Sequence, residues 1–78
     1  MRIKELQVVI TFPTTAAALA MERRAKELGI PGRLIPTPTV ITANCGLAWL
    51  ASVENEDTLK QMLGENGLQH DDVLLMLL

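Results

Sequence analysis

Near the amino terminus, Leu6, Val8, Ile10 and Phe12 alternate with Gln7, Val9 and Thr11. A period of two predicts a strand with one apolar face. Pro13 ends it, and Thr14 or Thr15 is placed to cap a helix. Residues 16–28 are nearly all strong helix formers, and Ala18, Met21, Ala25 and Leu28 fall on one face at spacings of three and four. On the solvent side, Glu22 with Lys26 and Arg23 with Glu27 stand four apart, the spacing of ion pairs. Gly29 then supplies the left-handed residue expected just past a helix end.

Residues 32–35 read as a short second strand. Pro36 and Pro38 stiffen an extended connection that runs on to residue 44. Gly46 opens a third strand over residues 47–53, which contains the single Trp. Asn55 is placed to cap a second helix, with Glu56 and Asp57 at its positive end. Leu59, Met62 and Leu63 form its apolar stripe, and Asn66-Gly67 ends it. After the polar turn at residues 69–72, the apolar run 73–78 is the final strand.

The order is therefore βαββαβ. Strands joined by a helix run parallel with a right-handed crossover, and two interleaved units of that kind make an α+β, ferredoxin-like split βαβ sandwich. The expected architecture is a single domain over residues 1–78: a four-stranded antiparallel sheet with two helices on one face. Two helices cover only one side of a sheet. Strand 4 is apolar on both sides, so the open face predicts a homodimer or another partner there.

Composition narrows the function. The chain has 78 residues, 49% of them hydrophobic and 21% charged, as in a globular domain. The longest apolar runs, 16–21 and 73–78, fall far short of the roughly 20 residues needed to span a membrane. The start lacks a signal-like pattern, which predicts a cytoplasmic protein. One Cys and one His, Cys45 and His70, can form neither an internal disulfide nor a four-ligand zinc site. No metal or cofactor is expected. Net charge is −2, with one Phe, one Trp and no Tyr, which speaks against nucleic acid as a partner. The charge is uneven: residues 1–39 carry six Lys/Arg and three Glu, and residues 40–78 carry one Lys and six acids. A solvated surface of mixed sign accounts for that unevenness.

Topology places the cysteine. The end of strand 1, the start of helix 1 and the connection from strand 2 to strand 3 share one edge of the sheet. Cys45 should therefore face the amino-terminal turn of helix 1, where N–H groups and the helix dipole favour an anion and a thiolate. Gly46, without a side chain, leaves one side of the sulfur open. The alternative is a buried structural cysteine at a turn, the usual state of a free thiol.

The stretch VVITFPTTAAALAMERRAKELGIPGRLIPTP followed by NCGLAW resembles the selenium/sulfur carrier protein-like family. The shared features are an aromatic-Pro-Ser/Thr-Thr turn at Phe12, Pro13, Thr14 and Thr15, a Gly-Ile-Pro at residues 29–31, Pro36 and Pro38, and the Cys45-Gly46 pair. Thr14 stands where Ser is common, which keeps the hydroxyl. The resemblance implies a protein that carries sulfur or selenium as a persulfide-like group on Cys45, with Phe12, Pro13, Thr14, Thr15 and Gly46 as its surroundings. It also implies donor and acceptor proteins of sulfur or selenium transfer. Better-known sulfur carriers use a Cys-Pro-x-Pro motif at a helix start; here Pro36-Thr37-Pro38 lacks that cysteine.

Two other functions compete with the carrier. One is a dimeric interaction or adaptor module using the open sheet face, with Leu50 or Trp49 at the contact. The other is a small thiol enzyme pairing Cys45 with His70, which topology puts at the same sheet edge. A solvated turn is the favoured explanation of His70, and caps and solubility better explain Asp71, Asp72, Glu54, Glu56 and Asp57.

Overall fold

The computed structural model describes residues 4–41, 43 and 45–78. Thr42 and Asn44 of the expected extended connection, and residues 1–3, lie outside the described residues. The elements are β1 (Leu6–Thr11), α1 (Thr15–Leu28), β2 (Arg33–Pro36), β3 (Leu47–Ser52), a 3-10 turn (Val53–Asn55), α2 (Glu56–Glu65) and β4 (Val73–Leu77). They form an α+β fold with one four-stranded sheet in the order β2-β3-β1-β4. Every neighbouring pair is antiparallel: β2 with β3, β3 with β1, and β1 with β4.

Alternation in β1 divides the core. Val8, Ile10 and Phe12 are buried with Ala17, Ala18, Met21 and Ala25 of α1 and Leu59, Met62 and Leu63 of α2. Both helices therefore cover the same face of the sheet. Leu28 ends α1 46% exposed, outside the buried stripe that its spacing predicted. The opposite face is not bare. Val9, Ala48 and Leu50 are buried there, with Ile35, Ile41, Met76 and Leu78 packed against them. Ile41 reaches that face because the connection after β2 turns at once: its N–H donates to the Pro38 carbonyl at 3.0 Å, with Val40 at the tip. The expected extended run is thus interrupted by a turn at residues 38–41.

Local chemistry fixes the element ends. Gly29 takes φ 67°, its N–H donates to the Lys26 carbonyl, and the Ile30 N–H reaches the Ala25 carbonyl at 2.9 Å. This paired closure with an apolar residue after the glycine is a Schellman end, and Ile30 packs on the core. Asn55 makes no side-chain cap, contrary to expectation. The 3-10 turn before α2 holds it at φ −96°, ψ 5°, away from the extended geometry a capping side chain needs. The pairs Glu22–Lys26 and Arg23–Glu27 do not form among the described residues. Instead Arg24 donates through Nε to Asn66 Oδ1 at 2.7 Å and through Nη1 to Glu27 at 2.8 Å, joining the end of α2 to α1.

Trp49, 3% exposed, faces the helices, whereas its neighbour Leu50 faces the other side. The indole lies against Gly32, whose φ of 144° and missing Cβ allow the approach. At the start of β4, the Asp71 N–H donates to the Thr11 carbonyl and the Asp72 N–H to Thr11 Oγ1, at 2.8 and 2.9 Å. Two residues thus oppose one, a bulge that satisfies the buried Thr11 hydroxyl.

Candidate functional site at Cys45

The site is assembled by the ends of β1 and β2 and the start of β3. Thr14, extended at φ −146°, caps α1: its Oγ1 accepts from the Ala17 N–H at 3.1 Å and its carbonyl from the Ala18 N–H at 3.2 Å. Two donors of the first turn are thereby engaged. The N–H groups of Thr15 and Ala16 have no acceptor among the described residues. A capped helix start keeps this partly positive end in a fixed place.

Cys45 arrives at that end. Its Sγ lies 3.7 Å from Thr15 Oγ1 and accepts from the Leu47 N–H at 3.4 Å. In the thiol form either the S–H or the Thr15 hydroxyl can donate across this contact. In an anionic form the hydroxyl rotates, and it and the Leu47 amide both donate to sulfur. No charged side chain hydrogen-bonds to the sulfur among the described residues, so its polar surroundings are a hydroxyl, an amide and a helix end. Thr37 holds the backbone: its Oγ1 donates to the Cys45 carbonyl at 3.0 Å and its N–H to the Gly46 carbonyl at 2.9 Å.

The residues singled out in the sequence differ in how close they come to the sulfur. Thr14 frames the helix start, and Thr15 touches the sulfur. Phe12, fully buried, belongs to the same apolar cluster as Cys45, and Pro13 is half-buried beside it in sequence. Gly46 is exposed, and a Cβ there would meet open space beyond its chain neighbours. Cys45 itself is only 7% exposed, so its sulfur sits beneath the surface. His70 is exposed, its Nδ1 3.2 Å from the Leu68 carbonyl, with no bond to Cys45 among the described residues. Sequence reasoning missed Thr37 and the Leu47 amide. Thr37 carried a signal, as the one hydroxyl between two prolines; the Leu47 amide carried none.

A concavity lies away from Cys45, on the helix-free face. It is a groove of about 390 Å³ lined by Ile35, Pro38, Leu50 and Leu78, with Leu77 of the edge strand at one end and Lys4, Gln7 and Arg33 as its polar residues. Neither Lys4 nor Arg33 has an ion-pair partner among the described residues. Among the described residues, no helix is long and apolar enough to cross a membrane.

The fold and this arrangement define a small α+β domain that presents one thiol to a helix start. Residues 7–74 match the family described as "Putative Se/S carrier protein-like", and the chain belongs to that family. No curated protein and no solved structure matches the chain.

Proposed function

We propose that this protein carries a single sulfur or selenium atom on Cys45 and passes it between two other proteins. One observation carries the reading: the Thr15 hydroxyl and the Leu47 amide converge on Sγ at the capped start of α1. Donors so placed stabilise a sulfur anion without a general base. In loading, the Cys45 thiolate attacks the terminal sulfur of a donor persulfide. The donor's S–S bond breaks, the donor leaves as a thiolate, and Cys45 becomes the persulfide. In unloading, an acceptor nucleophile attacks the terminal sulfur and Cys45 leaves as the thiolate. The atom is moved, not transformed, so the protein is a carrier rather than an enzyme. Because Sγ is covered, a docking partner must displace part of the surrounding surface to reach it.

The antiparallel order, read from the other side as β4-β1-β3-β2, supports the split βαβ, ferredoxin-like description. A reducing, cytoplasmic setting suits a lone thiol. The test is incubation with a cysteine desulfurase and cysteine, followed by intact-mass spectrometry. The expected result is a gain of one sulfur atom, reversed by dithiothreitol and absent in Cys45→Ser. Absence of loading in the folded wild type overturns the reading.

A second reading, partner binding without chemistry, is favoured by the groove on the helix-free face. Its apolar lining and two cations, unpaired among the described residues, suit a protein segment that is both apolar and acidic. Arg33→Glu, an exposed change in the groove lining, would weaken that binding while leaving Cys45 loading intact.

A further inference from the structure

The two edges of the sheet are unlike. The β2 edge is four residues long and carries Arg33 and Pro36, features that discourage pairing with another strand. The β4 edge carries none of these: Val73–Leu77 reads Val-Leu-Leu-Met-Leu, without charge, proline or glycine. The hydrogen-bond phase of β4 is set at its end, where Glu5 and Leu78 exchange both backbone bonds at 3.1 and 3.0 Å. Such pairs alternate along an antiparallel ladder, so Met76 with Gln7 and Leu74 with Val9 also bond inward. The N–H and C=O groups of Val73, Leu75 and Leu77 therefore point out of the sheet. Beside them lies an exposed apolar patch: Leu75 is 47% exposed, Leu77 63%, and Leu6, opposite Leu77 in the ladder, 42%.

We propose that β4 pairs antiparallel with β4 of a second copy, about a two-fold axis at Leu75, joining two sheets into one. The strand is self-complementary in this register. Leu75 meets Leu75 of the second copy and Val73 meets Leu77, so every outward-pointing residue faces another and exchanges both backbone bonds. On the opposite face Leu74 meets Met76. All these side-chain pairs are apolar, and no like charges are brought together along the strand. The helix-side patches of Leu6, Leu75 and Leu77 become continuous across the seam. This places self-association at the sheet edge, with Leu77 at the point where the seam adjoins one end of the groove on the helix-free face. The inference does not rest on the Cys45 reading, because Cys45 precedes β3, which β1 separates from β4.

The test combines sedimentation equilibrium with amide hydrogen exchange by NMR on the whole chain. The wild type should sediment at twice the monomer mass. The amides of Val73, Leu75 and Leu77 should be protected along with those of Leu74 and Met76. Leu75→Lys adds an edge charge, and Leu77→Pro removes an outward N–H that the monomer does not use. Each should return the mass to that of a monomer with unchanged far-ultraviolet circular dichroism. In the dissociated protein at high dilution, only the inward amides should stay protected. A monomeric wild type at millimolar concentration overturns the proposal. So does a dimer in which the three outward amides exchange freely, or one that persists in both variants.

Discussion

Thr15 Oγ1 stands 3.7 Å from Cys45 Sγ, a contact between residues 30 positions apart that exists only because β1 and β3 are antiparallel neighbours. The hydroxyl is exchangeable without changing the shape of the site. Thr15→Val removes the donor, and Thr15→Ser keeps it. A neutral hydrogen bond contributes about 1 kcal/mol, so Val should lower the persulfide-loading rate roughly five-fold. Ser should restore it. Equal rates for all three, measured by quenched-flow mass spectrometry, would remove Thr15 from the site.

Burial of the thiol makes a separate prediction. With 7% of its surface exposed, Cys45 should react with iodoacetamide at least about ten times more slowly in the native protein than in urea, because reagent must wait for local opening. Matching rates in the two states would mean that the sulfur is open without a partner.

Thr14 tests the frame rather than the sulfur. Its hydroxyl satisfies the Ala17 N–H. Thr14→Ala should cost about 1 kcal/mol in urea unfolding, while Thr14→Ser should cost little. An unchanged midpoint for Ala would show that the cap contributes nothing to stability.

Two glycines should behave oppositely. At Gly32 an added Cβ would overlap the Trp49 indole, and φ is 144°. Gly32→Ala should therefore destabilise by roughly 3 kcal/mol, from strain and crowding together. At Gly46 the same addition meets open space. Gly46→Ala should leave the thermal midpoint nearly unchanged, so any effect on loading would be attributable to the sulfur's access. A large loss of stability at Gly46, or none at Gly32, would contradict the packing described.

Much of this was legible in the sequence, for identifiable reasons. The alternation from Leu6 to Phe12 separated the two faces of β1. The βαββαβ order sufficed to bring Cys45 to the start of α1. Features that depend on partners distant in sequence were not legible. Arg24 had Glu27 in helical reach, but its bond to Asn66 needs α2 docked beside α1. Asn55 had the composition of a cap, and the preceding 3-10 turn removed the geometry for it. The helix-free face looked bare because nothing local announces that a turn at residues 38–41 will lay Ile41 across it.

The placement of Trp49 against Gly32 gives the molecule an optical reporter of the packing between β2 and β3. The single indole is sealed at the opening of β2, while the thiol lies near the far end of that strand, where Thr37 binds the Cys45 carbonyl. Its emission follows the integrity of the β2–β3 pair, and the state of the sulfur is left to mass spectrometry. One unlabelled sample therefore yields emission as a measure of folding and mass as a measure of cargo.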